Sequence, residues 1–174
     1  MKLPRRWRGY AYQIFYRLPV PARRNLVRLM VPKYTVGAVT LVLDSEAADP
    51  GRLLLLRQPP GHAWGLPAGL LKRRENPAVG AARELHEESG VALAPEQLEP
   101  ATPNAVVHLK GWVDMVYRAS VPSSTTTLAV DGGEVLEAGW FPLDDLPRLT
   151  TPTAVLLGIY GIGPRAGGVA PGRP

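Results

Sequence analysis

The stretch GLLKRRENPAVGAARELHEESGV, residues 69–91, decides how this chain is read. Asn76 is a good helix N-cap and Pro77 suits the first helical position. Gly90 suits a C-terminal cap, so a helix is expected between them. On that helix Glu84 and Glu88 stand one turn apart, and Glu87 lies beside Glu84 at i+3. Like charges so placed repel by roughly 0.2–0.5 kcal/mol per pair. Two readings account for such a face. A hard divalent cation can bridge the carboxylates, as Mg²⁺ does with oxygen ligands. Alternatively, the face is simply solvated.

Working outward, Tyr34 to Leu43 is rich in valine and threonine and reads as a strand. Arg52 to Arg57 is a short apolar run that reads as a buried strand. Pro59-Pro60-Gly61 marks a turn. Beyond the central helix, Ala105–Leu109 and Trp112–Val121 read as two strands turning at Lys110-Gly111. Residues 122–133 read as an exposed loop and Glu134–Phe141 as another strand. A closing helix runs to Tyr160, with Thr151 as its expected N-cap and Pro152 in its first turn. Strands on both sides of a central helix indicate a layered α/β or α+β domain. Residues 164–174 are rich in glycine and proline and read as a disordered tail.

Composition narrows the classes. The chain has 174 residues, 45% of them hydrophobic, and no cysteine. One globular domain fits that length, and neither a disulfide framework nor a thiolate metal site is possible. A reducing cytoplasmic setting is the expectation. Charge is uneven. Residues 1–33 hold nine of the 20 basic side chains and none of the 15 acidic ones, which leaves residues 34–174 at a net −4.

Within this basic arm Trp7, Ala11, Ile14 and Leu18 fall at helical spacing up to Pro19. A second short helix from Pro21 through Val31 is expected to turn Leu26, Leu29 and Met30 inward. Packing of this amphipathic arm on the rest of the chain, or across a two-fold axis as a homodimer, is favoured over contact of residues 1–33 with nucleic acid or membrane.

Read in full, the spacing Gly69, Glu75, Arg83-Glu84-Leu85, Glu87-Glu88, Gly90-Val91 matches the Nudix box at all nine fixed positions. The chain therefore resembles a Nudix hydrolase. Trp64-Gly65-Leu66-Pro67 and Trp140-Phe141-Pro142-Leu143 extend the resemblance, which covers roughly Tyr34 to Tyr160. It implies an α/β/α sandwich with a mixed central sheet in residues 34–163, carrying the basic helical arm 1–33. It also implies Mg²⁺-dependent hydrolysis, with Mn²⁺ as a substitute, of a pyrophosphate bond joining a nucleoside diphosphate to another moiety. The resemblance assigns Glu84 and Glu88 as metal ligands and Glu87 as ligand or base. The Ala68 carbonyl is a further ligand, and Arg83 orients the glutamates. A base from a later loop has Glu134 and Glu137 as local candidates. Arg57 and Arg74 are expected to contact substrate phosphate; Gly69, Glu75 and Gly90 are structural. Ala68 and Arg74 both stand where many relatives have glycine, and Arg74 is strained if its turn needs positive φ. These departures support an alternative, a Nudix-fold module that senses nucleotide with little catalysis. The residues associated with ADP-ribose or dinucleoside polyphosphate specificity are not met, so the substrate stays open.

Overall fold

The computed structural model describes residues 5–108 and 111–167. The expected Lys110 turn, the end of the strand at Leu109, the packing of the Trp7 side chain and the tail beyond Gly167 lie outside the described residues. The chain forms two compact units, Met1–Lys33 and Tyr34–Pro174.

In the larger unit, seven strands among the described residues form one sheet. They are β1 (Thr35–Asp44), β2 (Arg52–Arg57), β3 (Trp64–Gly65), β4 (Ala68–Leu70), β5 (Glu99–His108), β6 (Trp112–Val121) and β7 (Glu137–Pro142). The order β3-β2-β1-β6-β5 is mixed, with β1 parallel to β6 and the other pairs antiparallel. β4 pairs with β1, and β7 with β2.

The period of two along each strand assigns the faces. Ala38 and Val42 of β1, with Leu54 of β2, pack against Ala81, Ala82 and Leu85 of α3 (Pro77–Ser89). Val39 and Leu41, with Leu53 and Leu55, join Leu156 and Leu157 of α4 (Thr151–Ile159) on the other face. With both faces covered, the run Leu53–Leu56 is fully buried, which is why β2 is apolar throughout rather than alternating. The result is the expected α/β/α sandwich.

Local chemistry accounts for most boundaries. Asn76 caps α3 by accepting from the Ala78 N–H at 2.9 Å, and Gly90 closes the helix in the left-handed region at φ 76°. Three expectations need correction. The cap of α4 is Thr150, not Thr151: its Oγ1 accepts from the Thr153 N–H at 3.3 Å. The last strand starts at Glu137, because Asp131 folds residues 131–135 into a turn by accepting from the Gly133 and Val135 N–H groups. β5 begins at Glu99 rather than Ala105, with a register irregularity between Pro100 and Ala105 that interrupts its apolar pattern.

The smaller unit holds α1 (Arg5–Arg17) and α2 (Val20–Met30), joined at Leu18-Pro19. The expected inward faces are not buried. α2 has no buried residue, and Leu29 and Met30 are 81% and 75% exposed. Ile14 is exposed too, and Leu18 is only half-buried. Two short helices have too little facing surface to cover both stripes.

Candidate functional site

The site grows from the contact between β4 and α3. The Thr40 N–H bonds to the Pro67 carbonyl (3.0 Å) and the Leu71 N–H to the Val36 carbonyl (3.1 Å). With Ala38 opposite Gly69, residues 67, 69 and 71 point their main-chain groups at β1, while Ala68 and Leu70 turn theirs away. That free edge meets α3. The Ala68 N–H donates to Glu88 Oε2 at 2.8 Å, and the Leu70 carbonyl accepts from Arg83 Nη2 at 3.2 Å. The Ala68 carbonyl shares the same unpaired edge.

Arg83 ties the segment together. Its Nε and Nη2 donate to the two oxygens of Glu75, at 2.9 and 3.0 Å. Its Nη1 donates to Glu84 at 2.7 Å and to Glu87 at 3.0 Å. Glu75 also accepts from the Lys72 N–H at 2.7 Å, so it braces the loop as well as the helix. Hydrogen bonds from Arg83, then from Lys72, hold the Glu75 carboxyl down at about 2. The planar guanidinium fork makes this multidentate bracing possible; lysine has no equivalent.

Gly69 is required by close approach. A Cβ there would lie 2.0 Å from Glu84 Cδ, so the Glu84 carboxylate sits where any other side chain would begin. Arg74 has φ 67°, the one positive value at a non-glycine among the described residues. The strain foreseen for this position is therefore present, at about 1–2 kcal/mol for a non-glycine residue.

Glu88 differs from its neighbours. It is 7% exposed. Its partners are two neutral donors, the Ala68 N–H and Gln58 Nε2 at 2.7 Å. No cationic side chain among the described residues pairs with it. Burial, together with the charges of Glu84 and Glu134, pushes its carboxyl up to about 7. A buried carboxylate facing further carboxylates, with only neutral donors, is a donor set that suits a hard cation. In the present side-chain arrangement Arg83 draws Glu84 and Glu87 to itself. No group of three or more acidic, His or Cys side chains among the described residues is gathered closely enough to enclose an ion. The residues fit the ion in chemistry; gathering them around it requires Glu84 or Glu87 to turn from Arg83.

The remaining assigned residues fall on both sides of this centre. Glu134 is close enough for its charge to act on Glu88, whereas Glu137 forms an ion pair with Arg57. Arg57 also lies over the Trp64 ring, 5.7 Å from its centroid, and Trp64 packs in the core on the α4 side. Arg57 thus projects from the sheet face opposite Glu88 and is not gathered with the carboxylates. Its neighbour Gln58 is, and sequence reasoning passed over it. The signal available was the alternation along β2, which sends residues 54, 56 and 58 to the face that carries α3. Gly90 caps α3 only.

Comparison with known proteins bears on the family. The model of the NUDIX domain matches residues 33–156. A MutT NUDIX hydrolase structure from Burkholderia pseudomallei is 32% identical with a TM-score of 0.55, covering 70% of this chain and 93% of that one. A MutT-like protein of Streptomyces ambofaciens is 32% identical over 87 residues, 50% of this chain and 52% of the relative. A CMP-5'-(N-acetyl-N-hydroxy-3-aminopropyl)phosphonate hydrolase of Streptomyces rubellomurinus is 33% identical over 118 residues, 58% of this chain and 52% of the relative. The chain spans about half or less of the length of the curated relatives it matches.

Proposed function

The chain belongs to the Nudix family, and from that membership and the geometry around Glu88 we propose that it hydrolyses a pyrophosphate bond in a nucleoside diphosphate linked to another moiety, with Mg²⁺ as cofactor. The observation that carries this reading is the buried Glu88 carboxylate, held by the Ala68 N–H and Gln58 beside Glu84 with no cationic partner among the described residues.

In this reading Glu84, Glu88 and the Ala68 carbonyl would hold the ion, and Glu87, the alternative ligand, is left free to act as base. Mg²⁺, or Mn²⁺ in its place, neutralises phosphate charge and lowers the pKa of a water when bound. Glu87 is half-exposed on the same helix face and takes the proton from the attacking water. Glu134, whose charge acts on Glu88, is the candidate for a base from the later loop. The water oxygen bonds to phosphorus, the bridging P–O bond breaks, and the departing phosphate keeps the bridging oxygen. Arg83 keeps its fork on Glu75 and holds whichever of Glu84 and Glu87 does not turn to the ion. Arg74, exposed and strained in the loop before α3, supplies positive charge to substrate phosphates. The nucleotide-linked phosphonate in the name of the Streptomyces rubellomurinus relative supports this substrate class.

A panel of ADP-ribose, nucleoside triphosphates, dinucleoside polyphosphates and nucleotide sugars, assayed with Mg²⁺, tests the proposal. Turnover of at least one class is expected, and none on any of them would count against it. One observation favours the second reading, a nucleotide-sensing module: Arg83 already neutralises Glu84 and Glu87 without metal. Calorimetry showing nucleotide binding at micromolar or tighter affinity, with no product formed, would select it.

A further inference from the structure

We propose that residues 5–30 form a docking surface for an anionic lipid bilayer. The inference is independent of the hydrolase reading and rests on three observations within the smaller unit.

First, α2 carries an apolar side with arginine at its margin. At 100° per residue Leu26, Leu29 and Met30 fall on one side of the helix, with Arg23 flanking them next to Met30 and Arg24 and Arg28 on the other side. The apolar side is open: Leu29 and Met30 are among the most exposed large side chains of the chain. Such a helix lies in the plane of a membrane interface with its apolar side in the acyl boundary. It is too short to cross, and no described helix is long and apolar enough to do so. Secondly, Tyr10, Tyr12 and Tyr16 of α1 are exposed, and tyrosine favours the interface between headgroups and acyl chains. Thirdly, the two helices enclose a groove of about 430 Å³ with an apolar floor of Phe15, Val20 and Val27 and a rim of Arg23, Arg24 and Arg28. Arg23 Nε is buried without an acceptor among the described residues, and residues 1–33 contain no carboxylate to supply one. A lipid phosphate at the rim supplies the acceptor that Arg23 lacks.

Charge decides between this surface and other occupants. The arm of a second copy would bring nine basic and no acidic residues against the same nine. RNA would satisfy the arginines and leave Leu26, Leu29 and Met30 unburied. An anionic bilayer satisfies both sets.

Co-sedimentation of the full chain with phosphatidylcholine vesicles, with and without phosphatidylglycerol, across a salt series tests the proposal. Binding to the anionic vesicles alone at physiological salt is expected. Combined Arg23→Gln, Arg24→Gln and Arg28→Gln should lower the partition coefficient on the order of 100-fold. Leu29→Ser with Met30→Ser, which alters exposed positions only and retains every charge, should lower it on the order of tenfold or more. Far-UV circular dichroism checks that both variants keep their helices. Four results would overturn the proposal: no sedimentation with anionic vesicles, equal binding to neutral ones, full binding by the Leu29→Ser, Met30→Ser variant, or binding to RNA in place of vesicles.

Discussion

Replacing Glu88 by glutamine should stabilise the metal-free protein while removing its function. The carboxyl of Glu88 is raised from 4.5 to about 7 by burial and by the charges of Glu84 and Glu134. Each unit corresponds to about 1.4 kcal/mol, so ionised Glu88 costs the folded state about 3 kcal/mol. The sign follows from linkage. The folded protein holds this proton more tightly than the unfolded chain. The wild type is therefore unpenalised below pH 4.5 and loses stability as pH rises from 4.5 through 7. Glutamine carries no charge at any pH. It keeps one oxygen for the Ala68 N–H, and Gln58 can turn its amide to accept from the new NH₂ group, so little hydrogen bonding is lost. Urea unfolding in EDTA should show the Glu88→Gln variant more stable than wild type by about 2–3 kcal/mol at pH 8, shrinking towards zero near pH 5. Saturating Mg²⁺ should then raise the stability of the wild type and leave the variant unchanged. A variant less stable than wild type at pH 8 without metal, or a difference that does not change with pH, would refute the reasoning.

Three further substitutions probe the supporting residues. Arg83→Lys should cost about 2–3 kcal/mol by urea unfolding, because Glu75 and Glu84 lose a multidentate partner that lysine cannot replace. Gly69→Ala should cut kcat at least tenfold by displacing the Glu84 carboxylate, with far-UV circular dichroism unchanged. Arg74→Gly should stabilise by up to about 1 kcal/mol in thermal unfolding by relieving the left-handed strain. The same variant should raise KM if Arg74 contacts phosphate, and an unchanged KM would remove that assignment.

The frame of the site was legible because its signals are local. The cap at Asn76, the stop at Gly90 and the apolar i, i+3 positions of α3 are decided within one helix, and the structure keeps them. The buried run Leu53–Leu56 was legible for the same reason. What sequence could not carry was pairing between distant segments. Ala68 and Leu70 gain their roles only because β4 aligns against β1 and leaves one edge free for α3. Gln58 reaches Glu88 across 30 positions; the alternation along β2 gives its face but not its partner. Arg57 was placed near the phosphates by its position at a strand end, but the register of β2 with β7 pairs it with Glu137. In the arm, helical spacing marked apolar stripes without showing what would cover them, and Leu29 and Met30 are open.

The most direct test of the central claim follows the phosphoanhydride itself. Wild type and the Glu88→Gln variant would each be incubated in ¹⁸O-water with the best substrate of the panel, with Mg²⁺ or with EDTA, and the products read by ³¹P NMR. The account predicts cleavage by the wild type with Mg²⁺, one ¹⁸O atom on a single product phosphorus, and no cleavage in EDTA or by the variant. Cleavage that persists in EDTA, or that the variant catalyses at the wild-type rate, would contradict it.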